Sequence, residues 1–196
     1  MPDAPAELRT FHQALSDLDA WLTEANVPGV VIGGVAVALL ARPRLTRDLD
    51  IVVLVDESQL QAFVEHGSRH GFILRRSDAV AFAVANRVLL MRHLASSLDL
   101  DVSLGMLGFE RDMIASASTL VFSGIAVRVP RPEDLFLLKA IAQRDRDLND
   151  LSGIVARVKK LDVQYIRQRA KQLAEVFERP ELPAFVESFF GKKSRK

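Results

Sequence analysis

The feature that most limits the fold of this chain is a short apolar run that opens with two aspartates. The run covers residues 49–55 and starts within the sequence Asp48-Leu49-Asp50. It is too short for a typical helix and rich in valine, so it predicts a central strand that is buried on both faces. Side chains two residues apart on a strand share a face, so Asp48 and Asp50 should project together, roughly 7 Å apart along the strand.

Two carboxylates at the start of a buried strand need a partner, because they repel each other and lose hydration. Such groups persist through protonation, through cationic neighbours or through a bound metal. A divalent cation would resolve both problems, since oxygen atoms are the ligands that Mg²⁺ prefers. Taken alone, however, an Asp-x-Asp pair is more often a solvated strand start or a turn.

A second acidic strand strengthens the metal hypothesis. Residues 98–104 alternate apolar and polar side chains, which is typical of a half-buried strand, and Asp99, Asp101 and Ser103 share one face. If this strand lies beside the first, Asp99 or Asp101 can complete a cluster of three carboxylates. Three carboxylates are the usual platform for two-metal phosphoryl transfer.

The rest of the chain predicts mixed α and β structure up to residue 130 and helices after it. Strands are predicted at residues 30–32, 49–55, 72–75, 87–94, 98–104, 120–122 and 126–129, and Ser123-Gly124 is predicted to join the last two as a hairpin. Helices are predicted at residues 8–26, 35–41, 56–70, 132–143, 147–159 and 162–177, with a short one after Pro180. Asp147 is interpreted as the N-cap of its helix. We therefore expect an α+β fold in which a mixed central sheet is flanked by helices (residues 1–130), followed by a C-terminal helical segment packed on that core (residues 131–196).

Composition excludes several classes of function. The net charge of +1 predicts no global attraction to nucleic acid. The absence of cysteine rules out disulfides, thiolate metal sites and cysteine nucleophiles. No stretch resembles a signal peptide or approaches the roughly 18 apolar residues that span a membrane. A soluble, cytoplasmic protein without a membrane partner is expected.

Several motifs together resemble the DNA polymerase β-type nucleotidyltransferase superfamily. The motifs are Gly33-Gly34-Val35-Ala36, Arg44-Leu45-Thr46-Arg47-Asp48-Leu49-Asp50, Leu100-Asp101-Val102, Gly105-Met106-Leu107-Gly108-Phe109-Glu110 and the segment from Pro132 to Asp150. Within the superfamily, they are most similar to small bacterial AbiEii-like toxins and minimal nucleotidyltransferases. Many superfamily members carry Gly-Ser where this chain has Gly33-Gly34, so backbone donors alone remain at that turn.

The resemblance implies a role for each matching residue. Asp48, Asp50 and Asp101 are implied to be catalytic metal ligands, with Asp101 preferred to Asp99 because it fits the register of the later glycine motif. The implied nucleotide-binding residues are Gly33, Gly34, Arg44, Thr46 and Lys139. The glycines would turn backbone N–H groups toward phosphates at a helix N-terminus. For Arg44, Thr46 and Lys139, ordinary loop and surface positions are equally compatible with the sequence.

The resemblance also implies an activity. It predicts a Mg²⁺-dependent enzyme, with two metals expected and Mn²⁺ as an alternative, that transfers a nucleoside monophosphate from an NTP to an acceptor hydroxyl. The acceptor would be a tRNA 3′ end or a protein side chain, and the enzyme would be the toxin of a toxin–antitoxin pair. The alternative is an antitoxin-type minimal nucleotidyltransferase that binds or AMPylates a partner toxin.

Overall fold

The computed structural model describes residues 11–43 and 46–191. They divide into two compact units, one formed by the described parts of residues 1–39 and 43–130, the other by those of 40–42 and 131–196. The strands are β1 Gly29–Ile32, β2 Asp48–Val53, β3 Phe72–Leu74, β4 Val88–His93, β5 Asp99–Leu104, β6 Ser118–Phe122 and β7 Ile125–Val129. The helices are α1 His12–Glu24, α2 Gly33–Leu40, α3 Leu60–Arg69, α4 Ala79–Asn86, α5 Gly108–Ala115, α6 Pro132–Ala142, α7 Asp145–Arg157, α8 Val163–Val176 and α9 Leu182–Glu187.

The first unit contains a five-stranded mixed sheet with the strand order β1-β2-β5-β4-β3. Strands β2 and β5 run parallel to each other, and the remaining neighbours are antiparallel. This architecture confirms the predicted α+β class. The valine-rich strand β2 lies between β1 and β5, so both of its edges are hydrogen-bonded and its acidic end adjoins β5.

The two central strands bury apolar side chains. Leu49 and Ile51 of β2 and Leu100 and Val102 of β5 are buried, and Val52 on the other face of β2 is buried as well. Elsewhere in this unit, Trp21 of α1 stacks on Phe63 with ring centroids 4.4 Å apart and lies 5.2 Å from the ring of Phe72. The indole Nε1 donates to the carbonyl oxygen of Phe63 at 2.9 Å. Gly67 is needed here because a Cβ atom at that position would lie 2.7 Å from the indole.

Two helices lie where the sequence predicted no element. The sequence of α4 is almost wholly apolar, so it lacks the alternation of polar and apolar faces by which helices are detected. Helix α5 begins inside the glycine motif of residues 105–110. There the Glu110 carboxylate accepts hydrogen bonds from the backbone N–H groups of Met106 and Leu107 at 2.8 and 2.9 Å. The Arg87 side chain donates to the same carboxylate at 2.8 Å. The motif therefore caps a helix after β5.

The predicted hairpin after α5 is confirmed. Phe122 pairs with Ile125, which leaves a turn of Ser123 and Gly124. Both turn residues have positive φ, 48° and 87°, as a tight turn between twisted strands requires.

The second unit contains the four predicted helices. Helix α6 starts at Pro132, whose fixed φ suits a first helical position. The assignment of Asp147 as an N-cap is wrong, because the cap of α7 is Arg144 and Asp147 lies at the third helical position. There its Oδ2 accepts the backbone N–H of Arg144 at 3.1 Å. No helix among the described residues is long and apolar enough to cross a membrane.

Candidate active site

The two acidic strands are neighbours, which was the condition for a carboxylate cluster. In the parallel pairing of β2 with β5, Asp48 is opposite Asp99 and Asp50 is opposite Asp101. Residues opposite each other on adjacent strands share a face, and the strands lie about 4.8 Å apart. All four aspartates are half-buried, whereas Leu49 and Leu100 between them are buried on the other side. We call this group of Asp48, Asp50, Asp99 and Asp101 the acidic face.

The glycine turn lies directly against the acidic face. Strand β1 places Ile32 opposite Asp50, and the chain then turns into α2 at Gly33. Gly33 has φ +64°, and a Cβ atom there would lie 1.9 Å from Oδ2 of Asp50. Glycine is therefore required at this position both by the backbone conformation and by the approach of the carboxylate. Gly34 is buried in the first turn of α2, which begins directly after Ile32, the residue opposite Asp50.

Two arginines contact the β5 half of the acidic face. Nη1 of Arg75 lies 2.8 Å from Oδ2 of Asp99, and Nη2 of the same side chain contacts Asp101. Nε of Arg92 lies 2.7 Å from Oδ1 of Asp99. Neither arginine was identified from the sequence. Their partners depend on the order of strands β3, β4 and β5, which no local pattern encodes.

These contacts affect the ionisation of Asp99. The hydrogen bond from Arg92 and the charge and hydrogen bond of Arg75 hold the pKa of Asp99 below its usual range, against the opposing effect of partial burial. The same hydrogen bond, which Arg92 donates to Asp99, raises the pKa of Arg92. Asp99 is therefore ionised at neutral pH and bound to two guanidinium groups.

The residues of the acidic face fit one divalent cation with its nucleotide. Mg²⁺ is usually held by one or two carboxylates together with substrate phosphates. Asp48 and Asp50 share a face beside the Gly33 turn and can supply those two carboxylates. Within residues 11–43 and 46–191, no three acidic or histidine side chains are arranged to hold a metal by themselves. Asp101, which was predicted to be the third ligand, contacts Arg75 in this structure.

The remaining predicted nucleotide-binding residues are in several places. Arg44 lies outside the described residues. Thr46 lies two residues before β2, and its hydroxyl donates to the backbone carbonyl of Asp48 at 3.3 Å. Lys139 is in α6 of the second unit, where its side chain is buried.

Lys139 has two acidic partners within its own unit. Its Nζ lies 2.8 Å from Oδ1 of Asp147 and 2.9 Å from Oδ2 of Asp150, both on α7. All three side chains are buried. We call these residues the buried triad. The triad links α6 to α7, and no local sequence pattern predicted these ion pairs. The nucleotide-binding role of Lys139 stays a prediction.

Replacing Gly33 by alanine should displace the Asp50 side chain within the acidic face. An alanine at this φ costs roughly 1–2 kcal/mol, and its Cβ must also displace the Asp50 carboxylate. We expect a lower free energy of unfolding and a nucleotidyl-transfer rate reduced by up to about 10²-fold, the scale of a 1 Å misplacement. Urea unfolding and transfer rates measure the two effects.

Gly124→Ala is the matched control for this substitution. Gly124 also has positive φ, 87°, but a Cβ atom there meets nothing within 4 Å. This variant should show the backbone strain alone and keep the parental transfer rate. Equal transfer rates for Gly33→Ala and Gly124→Ala would contradict a role for Gly33 beside Asp50.

Comparison with known proteins places this fold among nucleotidyltransferases. The solution structure of the antibiotic-resistance factor ANT(2'')-Ia matches with a TM-score of 0.58 at 16% identity, covering 86% of this chain and 96% of that chain. The lincomycin-bound lincosamide antibiotic adenylyltransferase LnuA matches with a TM-score of 0.52 at 16% identity, covering 72% and 94%. At this identity the likeness establishes the fold alone. Comparison with curated proteins gave no match.

Sequence comparison assigns the family. The family described as "Nucleotidyltransferase of unknown function (DUF6036)" matches residues 6–196, which include the glycine turn, the acidic face and the helices that follow. This chain therefore belongs to that nucleotidyltransferase family.

Proposed function

We propose that the protein transfers a nucleoside monophosphate from an NTP to an acceptor hydroxyl and releases pyrophosphate. The observation that carries this proposal is the register of β1, β2 and β5, which brings Gly33, Asp50 and Asp101 side by side. Phosphate-binding backbone donors and metal-binding carboxylates are the two elements that nucleotidyl transfer needs, and here they adjoin.

The reaction needs a displacement at the α-phosphorus. The acceptor oxygen forms a bond to that phosphorus, the bond from the phosphorus to the bridging oxygen breaks, and pyrophosphate leaves with the bonding electron pair. A base must accept the hydroxyl proton, and the proposed base is the Asp101 carboxylate of the acidic face. The N–H groups at the start of α2 would orient the phosphates, since a helix N-terminus favours negative charge.

Asp48 and Asp50 would hold the divalent cation, Mg²⁺ or Mn²⁺. When bound, such a cation neutralises phosphate charge and acts as a Lewis acid toward the phosphoryl oxygens. A second cation, as expected from the resemblance, would need Asp101 as an additional ligand. Asp101 suits that role better than Asp99, because Asp99 is bound by two arginines and Asp101 by one.

The proposed acceptor is a tRNA 3′ end or a protein side chain, in a cytoplasmic, AbiEii-like toxin of a toxin–antitoxin pair. This part rests on the motif resemblance. The alternative is an antitoxin-type nucleotidyltransferase that binds or AMPylates a cognate toxin. The intact acidic face supports a modifying role over a purely structural one, because a scaffold has no need of the aspartates.

The test is transfer of label from each α-³²P-labelled NTP with Mg²⁺ or Mn²⁺ present. Separate reactions contain total tRNA, nuclease-treated lysate protein, a purified candidate partner toxin, and an aminoglycoside or lincosamide. Label on tRNA or protein supports the proposed acceptor, and label on the toxin alone supports the antitoxin alternative. Label on the antibiotic alone would replace the macromolecular acceptor by a small molecule. No transfer in any reaction would contradict the proposed function.

A further inference from the structure

Two carboxylates of the acidic face, both on β5, contact an arginine that follows β3, and β4 lies between these two strands. Arg75 follows β3, and its backbone N–H donates to the Leu90 carbonyl of β4 at 3.1 Å. Its side chain then extends across β4 to β5, where one guanidinium group contacts both Asp99 and Asp101. Arginine suits this bridge because its planar fork presents several N–H donors at fixed angles.

The two arginines at the acidic face are not equivalent. Arg92 lies opposite Asp99 in the pairing of β4 with β5 and contacts Asp99. Asp99 therefore keeps a cationic partner even without Arg75. Among the described residues, Arg75 is the cation found in contact with Asp101. Removing Arg75 therefore takes away the guanidinium contact of Asp101, whereas Asp99 keeps its contact with Arg92.

We propose that Arg75 is a positioning residue that holds Asp101 in the metal-free protein and releases it when a divalent cation binds the acidic face. This inference rests on the proposed function. In the metal-free protein the guanidinium offsets the repulsion among carboxylates on adjacent strands. When the cation binds, it takes over that neutralisation and Asp101 becomes available as a ligand or proton acceptor.

The exposure of the pair makes such an exchange feasible. The Asp101 side chain is 41% exposed and that of Arg75 is 24% exposed. Ion pairs that water reaches are weak, so little free energy opposes their separation. A divalent cation carries twice the charge of a guanidinium and binds oxygen directly, which favours it for the same carboxylate once it is present.

The proposal predicts two effects of opposite sign for Arg75→Gln. Without Arg75, Asp101 is available from the start, so the metal should bind more tightly. The same substitution removes the guanidinium that contacts both Asp99 and Asp101, so the metal-free protein should unfold at a lower temperature. A merely structural role for Arg75 predicts that metal binding and stability both decrease.

The experiment measures Mn²⁺ binding by electron paramagnetic resonance, without nucleotide and at one pH, for the full chain and three variants. We expect Arg75→Gln to bind Mn²⁺ about fivefold more tightly, which is the upper end of what an exposed ion pair contributes. Arg92→Gln, the matched control, should stay within about twofold of the parent, as for an exposed ion pair. Adding Asp101→Asn to Arg75→Gln should remove the gain.

Thermal unfolding supplies the second measurement. With EDTA present, Arg75→Gln should unfold about 2–4 °C below the parent, and Mg²⁺ should restore most of that difference. Arg75→Lys keeps the charge but loses the fork, and it serves if the glutamine variant folds poorly. It should bind Mn²⁺ more tightly than the parent, by a smaller factor than Arg75→Gln.

Several results would overturn the proposal. They are equal or weaker Mn²⁺ binding by both Arg75 variants, an equal gain for Arg92→Gln, or a gain that persists after Asp101→Asn. Failure of the proposed function is seen separately, as absence of label transfer by the parent protein. If the parent protein transfers label but the Arg75 variants bind Mn²⁺ as the parent does, the proposed function is retained and the role of Arg75 is excluded.

Discussion

Replacing Asp48 and Asp50 together by asparagine should lower the nucleotidyl-transfer rate by about 10²–10³-fold or more, the scale of losing one group that stabilises transition-state charge. Asparagine keeps the shape of each side chain but removes the charge that would hold a divalent cation. The variant should fold, because neutral amides relieve repulsion within the acidic face. Transfer of labelled nucleotide and circular dichroism check the two statements.

Three single variants make this result specific. Asp19→Asn changes an exposed aspartate of α1 away from the acidic face and should leave transfer unchanged. Asp101→Asn should reduce transfer more than Asp99→Asn, because the proposed third carboxylate is Asp101. A double variant of Asp48 and Asp50 that transfers as fast as the parent would exclude the acidic face as the catalytic site.

Replacing Lys139 by methionine should destabilise the protein by about 3–5 kcal/mol, the usual cost of removing one partner from a buried ion pair. Methionine fills similar space but leaves Asp147 and Asp150 buried, charged and repelling each other. Urea unfolding measures the loss. Adding Asp147→Asn and Asp150→Asn should recover much of it, because the buried triad then carries no charge.

The same variants separate the two roles considered for Lys139. A phosphate-binding lysine predicts weaker NTP binding in a chain of near-parental stability. The buried triad predicts the reverse, with stability lost and NTP affinity little changed in the protein that remains folded. Lys171→Met, which alters an exposed lysine of α8, is the control and should change neither quantity. Parental stability of Lys139→Met would contradict the structural role of the triad.

Where local patterns were strong, the sequence predicted the elements correctly. The alternation in residues 98–104 predicted β5, Ser123-Gly124 predicted the hairpin, and Pro132 predicted the start of α6. In each case the signal is a property of neighbouring residues, such as side-chain alternation or a backbone angle. Helices α4 and α5 were missed because one has no polar face and the other begins in a glycine motif.

The candidate site likewise contains residues that the sequence identified and contacts that it could not predict. Asp48 and Asp50 were identified from residue type and spacing, and Gly33 through the motif resemblance. The close approach of Gly33 to Asp50 follows from the pairing of β1 with β2. The partnership of Asp50 with Asp101 was conditional, since it required β5 to lie beside β2. The contacts of Arg75 could not be predicted, because they join residues from β3 and β5 across an intervening strand.

By itself, the sequence determined that this chain has an acidic strand, a glycine turn before it and a second acidic strand after it. The tertiary structure decided that these strands are parallel and in register, that Arg75 contacts Asp99 and Asp101, and that Lys139 is paired with Asp147 and Asp150. The physical reason is that charges act through space. Their partners are set by strand order and helix packing, which local spacing along the chain does not specify.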